Sequence, residues 1–400
     1  MTPILQLILE LVIVIAAAKA AGLLSNRLGQ PAVLGEILAG LILGPSVLNL
    51  PGWPFITDAH LAETIAHLAE IGVILLMFIA GLEVDLGQMR KAGRVVLLAG
   101  VFGVIVPLLM GLGTALPFGY DLTQAAAIGL LLTATSVSIS AQTLLELRVL
   151  RSKEGIALLG AAVVDDVLVI LVLSIFLSVA GGGGGGLFGI LILIGRMVLF
   201  LALFSVLGWL FLPWLFARVH QLPISQGVLA TAVVVALSYA WAAEAVGHIA
   251  MITGAFLAGI FAARSAVHHQ ILEGVSALTY GFFVPIFFVN IGLHANIWEL
   301  QGNLILLAAL ITVVAILSKV IGGGLGARVG GFNASEALRL GVGMISRGEV
   351  GLIVASLLVA GGTVPDEVMT LAVLMVLVTT LVTPPLLRVV FAGRVESGRR

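Results

Sequence analysis

Long apolar segments follow one another along nearly the whole chain, with only short polar breaks between them. A helix needs about 20 consecutive, mostly apolar residues to cross the hydrocarbon core of a bilayer. Of the 400 residues, 60% are hydrophobic and only 10% are charged. A soluble domain carries about a quarter charged residues and cannot bury this much apolar surface. The sequence therefore predicts an all-α polytopic membrane protein.

Clusters of Gly, Pro and charged residues divide the chain into thirteen predicted transmembrane helices. Two of them, at residues 31–44 and 248–266, are short for a membrane span. The predicted helices cover residues 3–24, 31–44, 60–84, 91–116, 122–146, 153–180, 187–218, 224–246, 248–266, 272–294, 300–328, 334–362 and 366–391.

The charges between the predicted helices indicate an orientation, because cytoplasmic loops carry an excess of Lys and Arg. With the N-terminus outside and the C-terminus in the cytoplasm, the predicted outer loops contain acidic residues and no Lys or Arg. The inner basic residues are Arg27, Arg90, Lys91, Arg94, Arg148, Arg151, Lys153, Arg218, Arg264, Arg328, Arg388, Arg394, Arg399 and Arg400, and the outer acidic residues are Asp58, Asp121, Glu299, Asp366 and Glu367. Together with the absence of cysteine, this pattern favours the inner membrane of a prokaryotic cell.

Three short segments of the first half recur in the second half, at similar separations and in the same order. The pairs are residues 38–41 and 257–260, residues 78–82 and 289–293, and residues 133–138 and 346–349. An odd number of helices separates the copies, so they cross the membrane in opposite directions. The pattern predicts two inverted six-helix repeats joined by a linker helix, the plan of many secondary transporters. The alternative is chance similarity among helices rich in Leu, Ala and Gly.

Three charged residues lie deep within predicted helices. Asp165 and Asp166 are adjacent in the middle of helix 6, and Lys319 lies far from the ends of helix 11. A charge at the bilayer centre costs at least roughly 2.5–3.5 kcal/mol, so each one needs a reason to be there. A buried carboxylate is the most economical partner for Lys319, and this acidic pair is the best candidate. The alternatives are a structural acidic pair and a lysine that snorkels to the membrane surface.

Two polar segments interrupt predicted helices 5 and 12. Backbone without helical hydrogen bonds is tolerated at membrane depth only when it lines a cavity or is buried in protein. The two segments therefore predict crossed, discontinuous helices whose dipole ends lie beside Asp165 and Asp166, with Arg347 and Glu349 neutralising those ends. A purely structural role in helix–helix hydrogen bonding is the alternative. The candidate residues of the segments are Thr133, Thr135, Ser136, Ser346, Arg347 and Glu349.

Other kinds of chemistry leave no pattern in the sequence. There is no Cys and no His-Glu-x-x-His spacing, and no Gly-Lys-Ser/Thr follows the glycine run at residues 181–186. These absences argue against a metal centre and a nucleotide-binding loop. No basic patch is interleaved with aromatic residues, so nucleic acid is not an expected partner. We expect no cofactor.

The polar motifs resemble those of the monovalent cation:proton antiporter-2 family. The resemblance rests on the polar breaks, on Asp165 and Asp166 with the distant Lys319, and on residues 35–40 and 81–85, and it covers nearly the whole chain. The acidic pair with Lys319 is similar to the electrogenic sodium/proton exchangers. The resemblance implies an NhaA-like fold, a homodimer in the lipid bilayer, and exchange of Na⁺ or Li⁺ for protons by alternating access.

The resemblance also implies a division of the chain into domains. Residues 1–84 and 224–294 would form a dimerisation domain, and residues 91–180 and 300–391 would form the core domain that carries the ion. Residues 187–219 would form the linker helix.

The same resemblance implies roles for single residues. Asp166 would be the main ion-binding carboxylate, and Asp165 would pair with Lys319. A Na⁺ site would include Asp166, Asp165 and the Thr135 hydroxyl.

Other functions fit the sequence less well. A potassium/proton antiporter of the same family would share the site chemistry, so the sequence does not separate Na⁺ from K⁺. An intramembrane aspartyl protease needs two aspartates from different helices to share a proton, whereas Asp165 and Asp166 are neighbours on one helix. The Thr-Val-Gly-Tyr-Gly filter of a potassium channel is absent. The sequence thus favours a transporter over an enzyme.

Overall fold

The computed structural model describes residues 2–28, 30, 32–54, 56–57, 60–83, 93–180, 186–293, 303–365 and 367–397. Across these ranges the regular secondary structure is helical. Nine of the described helices are long and apolar enough to cross a membrane. The chain is thus an all-helical integral membrane protein. Of the predicted loop charges, Asp58, Arg90, Lys91, Glu299, Asp366, Arg399 and Arg400 lie outside the described residues.

The helix bounds are close to those predicted from the apolar segments. The helices are α1 (Pro3–Arg27), α2 (Ala32–Leu43), α3 (Leu61–Leu82), α4 (Gly93–Ala115), α5 (Leu122–Leu131), α6 (Val137–Glu146), α7 (Lys153–Ala180), α8 (Gly186–His220), α9 (Gly227–Ala245), α10 (Met251–Ala262), α11 (His268–Leu278), α12 (Val284–Leu293), α13 (Asn303–Gly330), α14 (Ala334–Gly343), α15 (Glu349–Ala360) and α16 (Glu367–Ser397).

One predicted helix is not a regular α-helix. The sequence predicts a helix over residues 272–294, and within it a π-helical turn at Thr279–Phe283 joins α11 to α12. A π turn adds one residue to the helical repeat without changing the apolar composition. Hydropathy therefore gave no sign of it.

The helices group into two compact units. The first unit consists of Met1–Arg27, Gly35–Leu86 and Ile192–Leu293. The second unit consists of Leu28–Leu34, Gly87–Leu191 and His294–Arg400. Most of α8, the helix predicted to be a linker, thus belongs to the first unit.

Two helix crossings in the first unit depend on pairs of glycines. A Cβ atom on Gly259 of α10 would lie 2.1 Å from the Phe78 carbonyl oxygen of α3. A Cβ atom on Gly81 of α3 would lie 2.2 Å from the Phe256 carbonyl oxygen of α10. At the other crossing, a Cβ on Gly40 of α2 would lie 2.1 Å from the carbonyl oxygen of Val289 in α12. Small residues let the backbones of membrane helices approach this closely. Both crossings use the segments that recur in the sequence.

A proline inside α8 is compensated by an arginine of the same unit. Pro213 has no N–H to donate to the carbonyl of Trp209, four residues earlier. Arg264 Nη1 donates to that carbonyl over 3.0 Å. The Arg264 guanidinium also lies 3.4 Å from the centroid of the Trp209 ring. Hydrogen bonding and a cation–π contact thus satisfy a carbonyl that the helix leaves free.

Helix α4 is held tightly within the second unit, again through glycines. A Cβ on Gly322 of α13 would lie 2.5 Å from the Phe102 carbonyl oxygen of α4. A Cβ on Gly326 of α13 would lie 2.3 Å from the Leu98 carbonyl oxygen of α4. On the side facing α7, a Cβ on Gly100 would lie 2.6 Å from the Val164 side chain. Helices α7 and α13 therefore both approach α4 closely at the depth of Asp165 and Lys319.

Gly259→Ala should destabilise the protein by about 1–3 kcal/mol, the cost of forcing extra volume into a packed contact. The methyl group would collide with a backbone carbonyl, which cannot turn away as a flexible side chain could. Thermal unfolding in a mild detergent would measure the loss.

The matched control is Gly195→Ala in α8, where an added Cβ meets nothing within 4 Å. This variant should be as stable as the parent or slightly more stable, since alanine favours the helix. Equal melting temperatures for the two variants would show that the crossing is not tightly packed.

Candidate functional site

The buried charges of the second unit meet between α7, α13 and α4. Asp165 and Lys319 are both 0% exposed, and Asp166 is 5% exposed. Lys319 Nζ donates to Asp165 Oδ1 over 2.9 Å and to the carbonyl oxygen of Gly103 over 2.8 Å. The predicted pairing of Lys319 with the acidic pair is thus confirmed for Asp165. The snorkelling alternative is wrong, because no part of the lysine reaches the surface.

Gly103 supplies the backbone acceptor of Lys319, and the sequence does not reveal this role. A Cβ at this position would lie 2.7 Å from the Met344 side chain and 3.4 Å from Asp165 Oδ1. A side chain here would displace the end of the Met344 side chain, while its Cβ would make an ordinary van der Waals contact with Asp165 Oδ1. A glycine within an apolar helix is the sequence signal, but α4 contains several of them and the sequence does not say which faces the charges.

The two predicted polar breaks are confirmed as interruptions of the helix. Helix α5 ends at Leu131 and α6 begins at Val137, and α14 ends at Gly343 and α15 begins at Glu349. The intervening segments hydrogen-bond to each other in place of helical neighbours.

Backbone and serine groups join the two breaks. The Ser136 N–H donates to the Ser346 carbonyl over 2.8 Å, and Ser346 Oγ donates to the Ser136 carbonyl over 2.5 Å. Ser140 Oγ, on the first turn of α6, donates to the Gly343 carbonyl over 2.6 Å. Buried backbone N–H and C=O groups need hydrogen-bond partners. Here each break supplies hydrogen-bond partners for the backbone of the other break. The breaks are therefore fixed rather than loose.

Arg347 places a positive charge at the C-terminal ends of both interrupted helices. Its side chain is 0% exposed. Nη2 donates to the Leu132 carbonyl at the end of α5 over 2.9 Å, and Nη1 donates to the Ile345 carbonyl just beyond α14 over 2.5 Å. A cation at a helix C-terminus stabilises the negative dipole end. The neutralising role of Arg347 stays a prediction with which these contacts agree, whereas the Glu349 side chain lies outside the described residues.

The remaining predicted residues divide into two kinds. Thr133 Oγ1 donates to the Leu130 carbonyl over 2.5 Å, so this hydroxyl satisfies the end of its own helix. Thr135 is buried and close enough to Asp165 to interact with it. Neither the Thr135 hydroxyl nor Asp165 Oδ2 completes a hydrogen bond of normal geometry. The site therefore has buried oxygen atoms with unused lone pairs, the ligand type that hard cations prefer.

Four charges interact within this buried cluster. Lys319 interacts electrostatically with Asp165, Asp166 and Arg347. Two carboxylates thus face two cations in a region with little water to screen them. Among the described residues, no group of three or more His, Cys or acidic side chains has the arrangement of a resident metal centre.

Antiporters of two bacteria are similar to this chain over nearly its whole length. It is 37% identical to the Na(+)/H(+)-K(+) antiporter GerN of Bacillus cereus, over 96% of each chain. It is 36% identical to a Na(+)/H(+) antiporter of Enterococcus hirae, over 94% of this chain and 96% of that one.

A solved structure shows the fold. The sodium proton antiporter MjNhaP1 from Methanocaldococcus jannaschii superposes with a TM-score of 0.70, at 16% identity and over 98% of both chains. The fold is thus that of MjNhaP1, where the sequence led us to expect an NhaA-like fold. The family model described as sodium/hydrogen exchanger, transmembrane, matches residues 12–393. The chain therefore belongs to the transmembrane sodium/hydrogen exchanger family.

Proposed function

We propose that this protein is a secondary active transporter that exchanges Na⁺, or Li⁺, for protons across the membrane by alternating access. The observation that carries the proposal is the buried ion pair of Lys319 and Asp165 beside two interrupted helices. Such charges are costly in a membrane and mark ion pathways. The names of the Bacillus cereus and Enterococcus hirae relatives, both antiporters that include Na⁺ and H⁺, support the same function.

Exchange follows from competition for one set of oxygen atoms. In this proposal Asp166 is the main ion-binding carboxylate, and Asp165 and Thr135 complete the Na⁺ site. A carboxylate that holds a proton has lost the charge that attracts Na⁺. The site therefore carries either the metal ion or protons, and exposing it to each side of the membrane in turn couples the two flows.

Lys319 makes the proposed exchange electrogenic. Its ammonium and Na⁺ compete for Asp165, since both are held by the same carboxylate. When Na⁺ binds, Lys319 loses its anionic partner and releases its proton. With a second proton leaving Asp166, two protons exchange for one Na⁺, and the cycle moves net charge.

The repeat architecture is part of the proposal. Two glycine-paired crossings, Gly259 with Gly81 and Gly40 with Gly292, use corresponding segments of the two halves. Helices α5 and α14 each begin with a capping box and stop after ten residues, at the two breaks. These matches support thirteen spans in two inverted six-helix repeats. The likeness to MjNhaP1 supports the fold without supporting a specifically NhaA-like one.

We also propose a location and a partner. The charge pattern supports an orientation with the N-terminus outside and the C-terminus in the cytoplasm of a prokaryotic cell. The first unit, with residues 1–84 and 224–294, would form a homodimer, while residues 91–180 and 300–391 would move the ion. Residues 187–219 would link the two.

A potassium/proton exchanger is the second candidate, because the name of GerN includes K⁺. The site oxygens would accept either ion. A series of Na⁺, Li⁺ and K⁺ additions to everted vesicles with a pH-sensitive dye separates the two.

Asp166→Asn should abolish Na⁺-dependent proton flux in such vesicles, because the amide carries no charge for either substrate. The folded protein should remain, since asparagine has nearly the same shape. Glu63→Gln is the control, because its carboxylate on α3 is 65% exposed and plays no part in the site. Normal flux through the Asp166 variant would exclude it as the ion-binding group.

Lys319→Gln should lower stability by roughly 3–5 kcal/mol, the usual cost of removing one partner of a buried ion pair. Asp165 must then take up a proton or admit water. Exchange that persists should carry less charge per sodium ion, measured as current on a supported membrane. Lys153→Gln is the control, since that lysine is 49% exposed and its partner is Glu336. Unchanged stability and unchanged current for the Lys319 variant would refute its role in the cycle.

The protein should run as a homodimer in native mass spectrometry from a mild detergent with lipid present. The proposal rests on the resemblance to dimeric exchangers. A monomer mass under these conditions would contradict it.

A further inference from the structure

Pro107 lies buried inside α4, four residues after Gly103. A proline has no N–H, so the carbonyl four residues earlier in the helix loses its usual donor. In α4 that carbonyl belongs to Gly103, and Lys319 Nζ donates to it over 2.8 Å. We propose that Pro107 is a positioning residue for ion exchange, because it leaves the Gly103 carbonyl free as a second acceptor for the Lys319 ammonium. This inference rests on the proposed function.

The same chain shows this arrangement a second time. In α8, Pro213 frees the Trp209 carbonyl, and Arg264 donates to it over 3.0 Å. In both cases the cation comes from another part of the chain and takes the acceptor that the proline exposes. The pairing of an intramembrane proline with a cation therefore does not depend on the chemistry of the ion site.

The Lys319 ammonium has two acceptors at once. The ammonium has three N–H donors; one is directed to Asp165 Oδ1 on α7 and one to the Gly103 carbonyl on α4. Of these two acceptors, the carbonyl is the one that Pro107 leaves free.

The carbonyl differs from the charged groups that face Lys319. These groups are Asp165 and Asp166 on α7 and Arg347 in the break before α15. The two carboxylates change charge as Na⁺ and protons come and go, and Arg347 repels the ammonium. The Gly103 carbonyl attracts the ammonium whatever occupies the carboxylates. It therefore helps to hold the ammonium beside Asp165, where the ammonium competes with Na⁺ in the proposed cycle.

The test is Pro107→Ala, which restores an N–H that competes for the Gly103 carbonyl. Alanine favours the helix, so the variant should fold at least as well as the parent. In the proposed cycle the Lys319 ammonium competes with Na⁺ for Asp165, and with one acceptor fewer it competes less well. The apparent KM for Na⁺ of proton flux in proteoliposomes should fall about tenfold at an unchanged maximal rate, as expected for the loss of a hydrogen bond to a charged group.

Pro213→Ala is the matched control, because it restores an N–H in α8 of the first unit and leaves Lys319 untouched. Its apparent KM for Na⁺ should equal that of the parent. A Pro107→Ala variant whose apparent KM for Na⁺ also equals the parent value would overturn the inference.

A second measurement does not need transport. In thermal unfolding, Pro107→Ala and Lys319→Gln should be non-additive, because the first acts through the second. Pro213→Ala and Lys319→Gln should add. Full additivity for both pairs would overturn the positioning role even where exchange is intact. If the parent protein carries no cation-dependent proton flux, the proposed function fails, and this double-mutant cycle still decides whether Pro107 and Lys319 are coupled.

Discussion

The ion pair between Lys319 and Asp165 is the constraint to which the rest of the second unit responds. Both side chains are fully buried, and their charged atoms are 2.9 Å apart. Removing two charges from water costs several kcal/mol for each ion, which their attraction repays only with good geometry and further hydrogen bonds. The unit supplies that geometry through the close approach of α4, α7 and α13 and through the Gly103 carbonyl. A pair so dependent on its surroundings suits a site whose occupancy must change.

The close approach of α4, α7 and α13 follows from how helices pack in a lipid environment. Lipid tails are as apolar as leucine, so burying apolar surface does not drive helices together as it does in water. Backbone contact at glycines takes its place: Gly322 and Gly326 bring α13 onto α4, and Gly259 brings α10 onto α3. Lys319 precedes the first of these glycines by three residues, on the same side of α13. The glycine contact and the ion pair therefore set the register of α13 together.

The sequence predicted those features for which lipid imposes a large cost. Charges at Asp165 and Lys319 and polar breaks at Thr133–Ser138 and Ser346–Gly351 stand out against an apolar background, and the structure brings the lysine to the acid and the breaks to each other. The sequence did not predict the features that leave the apolar composition of a helix unchanged. Gly103 is one glycine among 49, the π turn leaves hydropathy unchanged, and the carbonyl partners of Arg347 have no sequence signature.

The two buried cations of the site differ in what they can do. Arg347 is held by carbonyls of both interrupted helices, and a guanidinium does not lose its proton under ordinary conditions. Its charge is therefore fixed, and it compensates the dipole ends whatever ion is present. Lys319 is held by one carboxylate and one carbonyl, and an ammonium can give up its proton when its carboxylate is taken. A lysine at 347 would put a labile charge where the helix ends need a constant one. An arginine at 319 would put a permanent charge where, in the proposed cycle, Na⁺ must compete with the side chain for Asp165. The assignment of each residue type to its position is thus what the proposed exchange of one cation for protons requires.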